Sequence, residues 1–139
     1  MTTQNSNRLS LSLSGSTSAV FKGGQKLSFD IQLKTTEAYL YIDYLQVDGA
    51  AVSLERGQRV AGTKATRLPP GGKQFVVQAP YGAELLVAIL SPKPLFDNGV
   101  KYENDREYLS ALRQALLGLS VSERNAVVSS TISIKTSED

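Results

Sequence analysis

The sequence predicts a mainly β fold: an antiparallel β-sandwich of about eight short strands with one late amphipathic α-helix at about 104–118. Three observations carry that expectation. Leu9–Ser14 and Leu27–Lys34 alternate apolar and polar residues with period two, turn residues recur at roughly ten-residue intervals, and an apolar repeat of 3.6 residues occurs once, in the last third of the chain.

Taken in order, Leu9, Leu11 and Leu13 fall on one face of a strand, with Ser10, Ser12 and Ser14 on the other. Beyond the Gly23-Gly24 turn, Leu27, Phe29, Ile31 and Leu33 repeat the pattern over eight residues. Ala38–Val47 is apolar on both faces, as in a central strand, and Asp48-Gly49 provides the positive-φ residues of a tight hairpin. Ala51–Leu54 returns as its partner. Glu55–Gly72 is polar and basic and is broken by Gly57, Gly62 and Pro69-Pro70-Gly71-Gly72, which reads as short edge strands separated by loops. Lys73–Gln78 and Ala83–Ser91 are two further strands, the second apolar enough to be central and ended by Pro92 and Pro94. A helix starts at Asn104, where Asn104-Asp105-Arg106-Glu107 has capping-box spacing. It carries Tyr108, Leu109, Leu112, Ala115, Leu116 and Leu119 on its apolar side and closes near Gly118. Val128–Lys135 is the closing strand, before a polar tail. The chain reads as a single domain over 1–139 with flexible ends at about 1–7 and 136–139.

Composition narrows the chemistry. With 41% hydrophobic and 20% charged residues the chain has the balance of a globular domain, and its apolar runs fall far short of the ~20 residues of a membrane span. Zero His and zero Cys remove thiol nucleophiles, imidazole bases, disulfides and the usual zinc ligand sets. A net charge of +2 does not call for nucleic acid, and no cofactor is expected. The first eight residues lack the basic start and apolar core of a signal peptide. The expected compartment is therefore the cytoplasm for a full-length chain, or the periplasm or cell exterior for a piece of a longer exported protein.

Local charge is more uneven than the total. Arg56, Arg59, Lys64, Arg67 and Lys73 follow one another with no intervening carboxylate, so the segment either grips an acidic partner or forms a solvated edge that resists strand-to-strand aggregation. Aromatic residues for base stacking are missing from it. Asp97, Glu103, Asp105 and Glu107 could supply oxygens to Ca²⁺, but they form no Asp-x-Asp-x-Asp-Gly loop, and Glu107 is already accounted for by the helix cap. Ser91 and Lys93 have the look of a Ser–Lys dyad. A lysine base needs desolvation, however, and a strand end between Pro92 and Pro94 is wet, so strand termination is the preferred reading. Tyr39, Tyr41 and Tyr44 lie on both faces of one strand and read as core residues with hydroxyls at the rim.

The Ala38-Tyr39-Leu40-Tyr41-Ile42 strand leading to Asp48-Gly49, followed by Gly82-Ala83-Glu84-Leu85-Leu86 running to Ser91 and then Pro94-Leu95, resembles the bacterial domain-of-unknown-function family 4384. The likeness spans Lys26 to Leu95, and Tyr108–Leu116 is similar to that family's late helix; Leu54-Glu55-Arg56 departs from its Phe-Pro-Asn-like segment. The resemblance implies an accessory β module found with caspase-like peptidases, Ser/Thr kinases or cell-envelope proteins, and it brings no catalytic residues. The resulting expectation is a non-enzymatic module of a bacterial envelope or signalling protein. It would recognise a protein partner, or a covalently linked kinase or peptidase domain, through basic loops or an edge strand bearing Arg56, Arg59, Lys64, Arg67 and Lys73. The alternative is a carbohydrate- or calcium-binding envelope domain.

Overall fold

The computed structural model describes residues 9–13, 20–68, 75–95 and 104–138 and, within them, every side chain but those of Arg56 and Asp105. The chain is mainly β. Its strands are β1 (Leu9–Leu13), β2 (Val20–Lys22), β3 (Lys26–Leu27), β4 (Phe29–Leu45), β5 (Ala51–Leu68), β6 (Phe75–Val76), β7 (Ala83–Ser91) and β8 (Val128–Ser137), with helices α1 (Asp105–Leu117) and α2 (Val121–Asn125) before β8.

The layering differs from the expected sandwich. Six strands form one curled, mixed sheet in the order β1-β4-β7-β8-β2, with β5 paired to β4, and β3 and β6 make a separate two-stranded ribbon. β2 runs parallel to β8, and the other pairings in the sheet are antiparallel. β4 is long enough, at 17 residues, to pair with β1 along Phe29–Leu33 and with β7 along Tyr39–Leu45, while β5 follows its whole length. One sheet thus bends around its own core as a half-barrel.

Bulges produce the bend. Three register shifts interrupt the β4–β5 ladder, and each strands an extra residue on one side: Thr36 and Glu37 oppose Ala61, then Gly57 and Leu54 are left over on β5. Gly57 and Gly62 have φ of 76° and 83°, conformations that cost a residue with a Cβ about 1–2 kcal/mol. The shift at Thr36–Glu37 also switches the inward positions of β4 from Phe29, Ile31 and Leu33 to Ala38, Leu40, Ile42 and Tyr44, so a single strand keeps one face in the core. Glycines that look like loop punctuation in the sequence therefore sit inside a continuous strand.

The hairpin between β4 and β5 is also wider than a two-residue turn. Gln46 and Ala50 pair, Gly49 N–H donates to Gln46 O (2.9 Å), and only Gly49 of the Asp48-Gly49 pair has positive φ. That is a three-residue loop of a kind common in hairpins, and the Asp48 carboxylate accepts from Ala50 N (2.9 Å).

Two buried clusters lie on opposite faces of the sheet. The concave side holds Leu9, Phe21, Phe29, Ile42, Leu86, Leu90 and Ile134 among others, and the convex side holds Tyr41, Val87 and Ile89 under Tyr108, Leu112 and Leu116 of α1. α1 begins as expected, with Asn104 Oδ1 accepting from Glu107 N (2.9 Å), but Leu109 points to solvent and not into the core. α2 carries a complete capping box between Ser120 and Glu123, and its Arg124 donates to Leu116 O and Leu119 O (3.1 Å each) at the C-terminal end of α1. β8 continues two residues past the alternation seen in the sequence: Thr136 is buried and its N–H donates to Gly82 O (2.8 Å).

Candidate functional site

Two surfaces stand out. The first is the outer rim of β5, which among the described residues has β4 as its one ladder partner. Ala61–Arg67 is exposed at every position, and its residues are Ala, Gly and Thr apart from Lys64 and Arg67. Small side chains leave backbone N–H and C=O groups along such a rim open to another strand.

The expected partner-binding cations divide between the faces of this ribbon. Arg59 stands opposite Tyr39 and Arg67 opposite Asp30 on the convex side, whereas Lys64 stands opposite Leu33 on the concave side. Arg59 forms an ion pair with Glu37, and Arg67 Nε lies 3.0 Å from Asp30 Oδ1. The basic stretch without carboxylates therefore meets its counter-charges on the neighbouring strand, in exposed pairs of a type typically worth 0.2–1 kcal/mol. Arg56 is in register with Tyr41, and Lys73 lies outside the described residues. Of the two expected settings, basic loops or an edge strand, the described cations take the strand: Arg56, Arg59, Lys64 and Arg67 all belong to β5.

The second surface is a cavity of about 600 Å³ at one mouth of the half-barrel, between the β4–β5 hairpin, the start of β7 and the β3–β6 ribbon. Leu27, Leu54, Phe75 and Val77 form its apolar wall, and Tyr44 and Glu84 its polar one. Gly24 N–H to Val77 O and Val77 N–H to Gln25 O (2.8 Å each) tie down the segment that closes it. Tyr44 Oη donates to Glu84 Oε1 (2.7 Å), and Val47 N–H donates to Glu84 Oε2 (3.3 Å). Burial, and then the neighbouring Glu84 carboxylate, push the Tyr44 phenol well above the usual tyrosine range. Sequence reasoning missed this site, although Glu84 was a signal: it is the single charge in the otherwise apolar β7.

The remaining candidates are dispersed. Ser91 Oγ donates to Lys93 O (2.6 Å), and Lys93 Nζ lies 3.9 Å from Glu123, so serine and ammonium face different neighbours. Asp97 and Glu103 lie outside the described residues, and no group of three or more carboxylates is gathered among those described. Tyr41 and Tyr44 are buried, with the Tyr41 hydroxyl accepting from Leu95 N (2.8 Å), and Tyr39 is half-buried. No helix is long and apolar enough to cross a membrane among the described residues.

Comparison of the chain with protein-family models, with curated proteins and with solved structures found no match.

Proposed function

We propose that this chain is a non-enzymatic interaction module that takes an extended acidic segment of a protein partner onto the outer rim of β5. The observation that carries the reading is the stretch Ala61–Arg67, exposed at every position, built of small side chains and punctuated by cations. An added strand gains main-chain hydrogen bonds from such a rim, and Lys64 selects for carboxylates along it, joined by Arg59 and Arg67 as they exchange Glu37 and Asp30 for the partner's acids. The proposal extends to membership of domain family 4384, with the partner segment belonging to a kinase, a peptidase or another envelope or signalling protein.

The rival role for the same residues is to repel other strands, with Lys64 and the bulges as the blocking devices. An eight-residue peptide alternating Glu and Val separates the two. It should bind the full chain and lose affinity as salt rises, whereas the same peptide with Lys for Glu should not bind. Lys64→Glu combined with Thr66→Glu should weaken binding of the acidic peptide at least about tenfold with Tm unchanged, since both side chains are exposed. Equal binding of the two peptides, or an unchanged affinity in the variant, would overturn the proposal.

A further inference from the structure

We propose that the mouth cavity is a binding site for a small organic cation: an ammonium or amidinium group carried on a flat apolar body. A volume of about 600 Å³ lies within the 300–1,000 Å³ typical of small-molecule sites, and the mouth of a curled sheet is a usual place for one. Its charge points to one sign. Glu84 and Asp48 line it, together with the amides of Gln46 and Gln78, and no lysine or arginine does among the described residues.

The carboxylate is positioned before any ligand arrives. Tyr44 Oη holds one oxygen of Glu84 and Val47 N–H the other, which fixes the group yet leaves each oxygen capacity to accept a further hydrogen bond. Leu27, Phe75 and Val77 provide an apolar wall for the rest of the ligand, with Phe75 kept in place by its tilted contact with Phe29 (ring centroids 6.0 Å apart). Val52 and Val76 line the same cavity and are 40% and 50% exposed, so it has an open side through which a ligand can enter. An anion would meet two carboxylates here with no compensating cation, and a wholly apolar molecule would mask Glu84 from water without giving it a donor.

The test uses the full chain and three probes on one indole frame at pH 7: tryptamine as the cation, indole-3-propionate as the anion and 3-propylindole, which matches tryptamine in shape, as the neutral form. Calorimetry gives their affinities, and the methyl resonances of Leu27, Val52 and Val77 give the location. Tryptamine should shift those methyls and bind at least about tenfold more tightly than either other probe. Glu84→Gln should abolish that preference. Val52→Trp, at an exposed lining position, should abolish binding with the fold intact, and it serves as the check should the Glu84 variant unfold. Equal binding of the three probes, no binding of tryptamine, shifts confined to another part of the molecule, or unaltered binding to the Val52 variant would each overturn the assignment.

Discussion

β5 and β7 flank the same strand, yet one is open along its rim and the other is sealed on both faces. β7 lies between β4 and β8, with Leu86, Ala88 and Leu90 in the concave core and Val87 and Ile89 under α1. Among the described residues β5 pairs with β4 alone, and every position of Ala61–Arg67 is exposed. On the proposed reading, the contrast teaches where stability and recognition separate in this fold. Buried apolar side chains contribute about 1.5–3 kcal/mol each to β7, while Ala61–Arg67 of β5 is held by its ladder to β4, with no second strand on its outer rim among the described residues.

The largest effect should come from putting a charge on the sealed strand. Ile89→Asp buries an unpaired carboxylate beneath α1 and should cost more than about 4 kcal/mol, seen as loss of cooperative unfolding in denaturant. Ala65→Asp, an equivalent change on the open strand, should stay within about 0.5 kcal/mol of the parent. Similar costs at the two positions would erase the distinction between the strands.

Next in size is the bend itself. Gly62→Ala puts a Cβ on a residue with φ of 83° where no atom lies within 4 Å, so backbone strain alone should cost about 1–2 kcal/mol by denaturant titration. A neutral result would mean that residue 62 is not held at positive φ in the folded chain. Smaller still is Arg67→Ala, which removes an exposed pair with Asp30 and should cost less than about 1 kcal/mol, a difference that shrinks further in high salt.

Two effects depend on pH, and they run in opposite directions. The raised phenol pKa of Tyr44 contributes stability that is complete below the unfolded tyrosine value, about 10, and is lost as pH rises beyond it. Tyr44→Phe should flatten that alkaline fall in Tm. Glu123, whose carboxyl is held below the usual glutamate range chiefly by the Ser120 backbone N–H, contributes stability present above about pH 4.3 and lost as pH falls through its folded value. Amide resonances of Val121–Asn125 should report fraying of α2 on acidification, and Glu123→Gln should remove that pH dependence. An acid-insensitive α2 in the parent would contradict the role of the cap.

The same contrast between strands explains what could be read in advance. β1, β7 and α1 were legible because each buries a fixed pattern: alternating leucines, an apolar run ended by prolines, a 3.6-residue repeat behind Asn104. β4 looked like two strands because its inward face changes parity at Thr36–Glu37, and a bulge restores the face that a strict period-two reading would lose. β5 reads as short edge strands separated by loops, and not as one strand, because exposure on both faces over Ala61–Arg67 removes the alternation from which a continuous strand is recognised. α2 did carry a legible signal in Ser120-Val121-Ser122-Glu123, but at five residues it is too short to show periodicity. The cavity could not be read, since its walls come from segments 27, 44–54, 75–80 and 84, brought together only by the curl of the sheet.

The most direct test of the account maps the alternating Glu-Val peptide onto the full chain by amide chemical shifts and hydrogen exchange. Shifts and slowed exchange concentrated in residues 58–68 of β5, with Leu9–Leu13 and Val20–Lys22 unaffected, are the predicted result. Protection gained at β1 or β2 with β5 unchanged would contradict it.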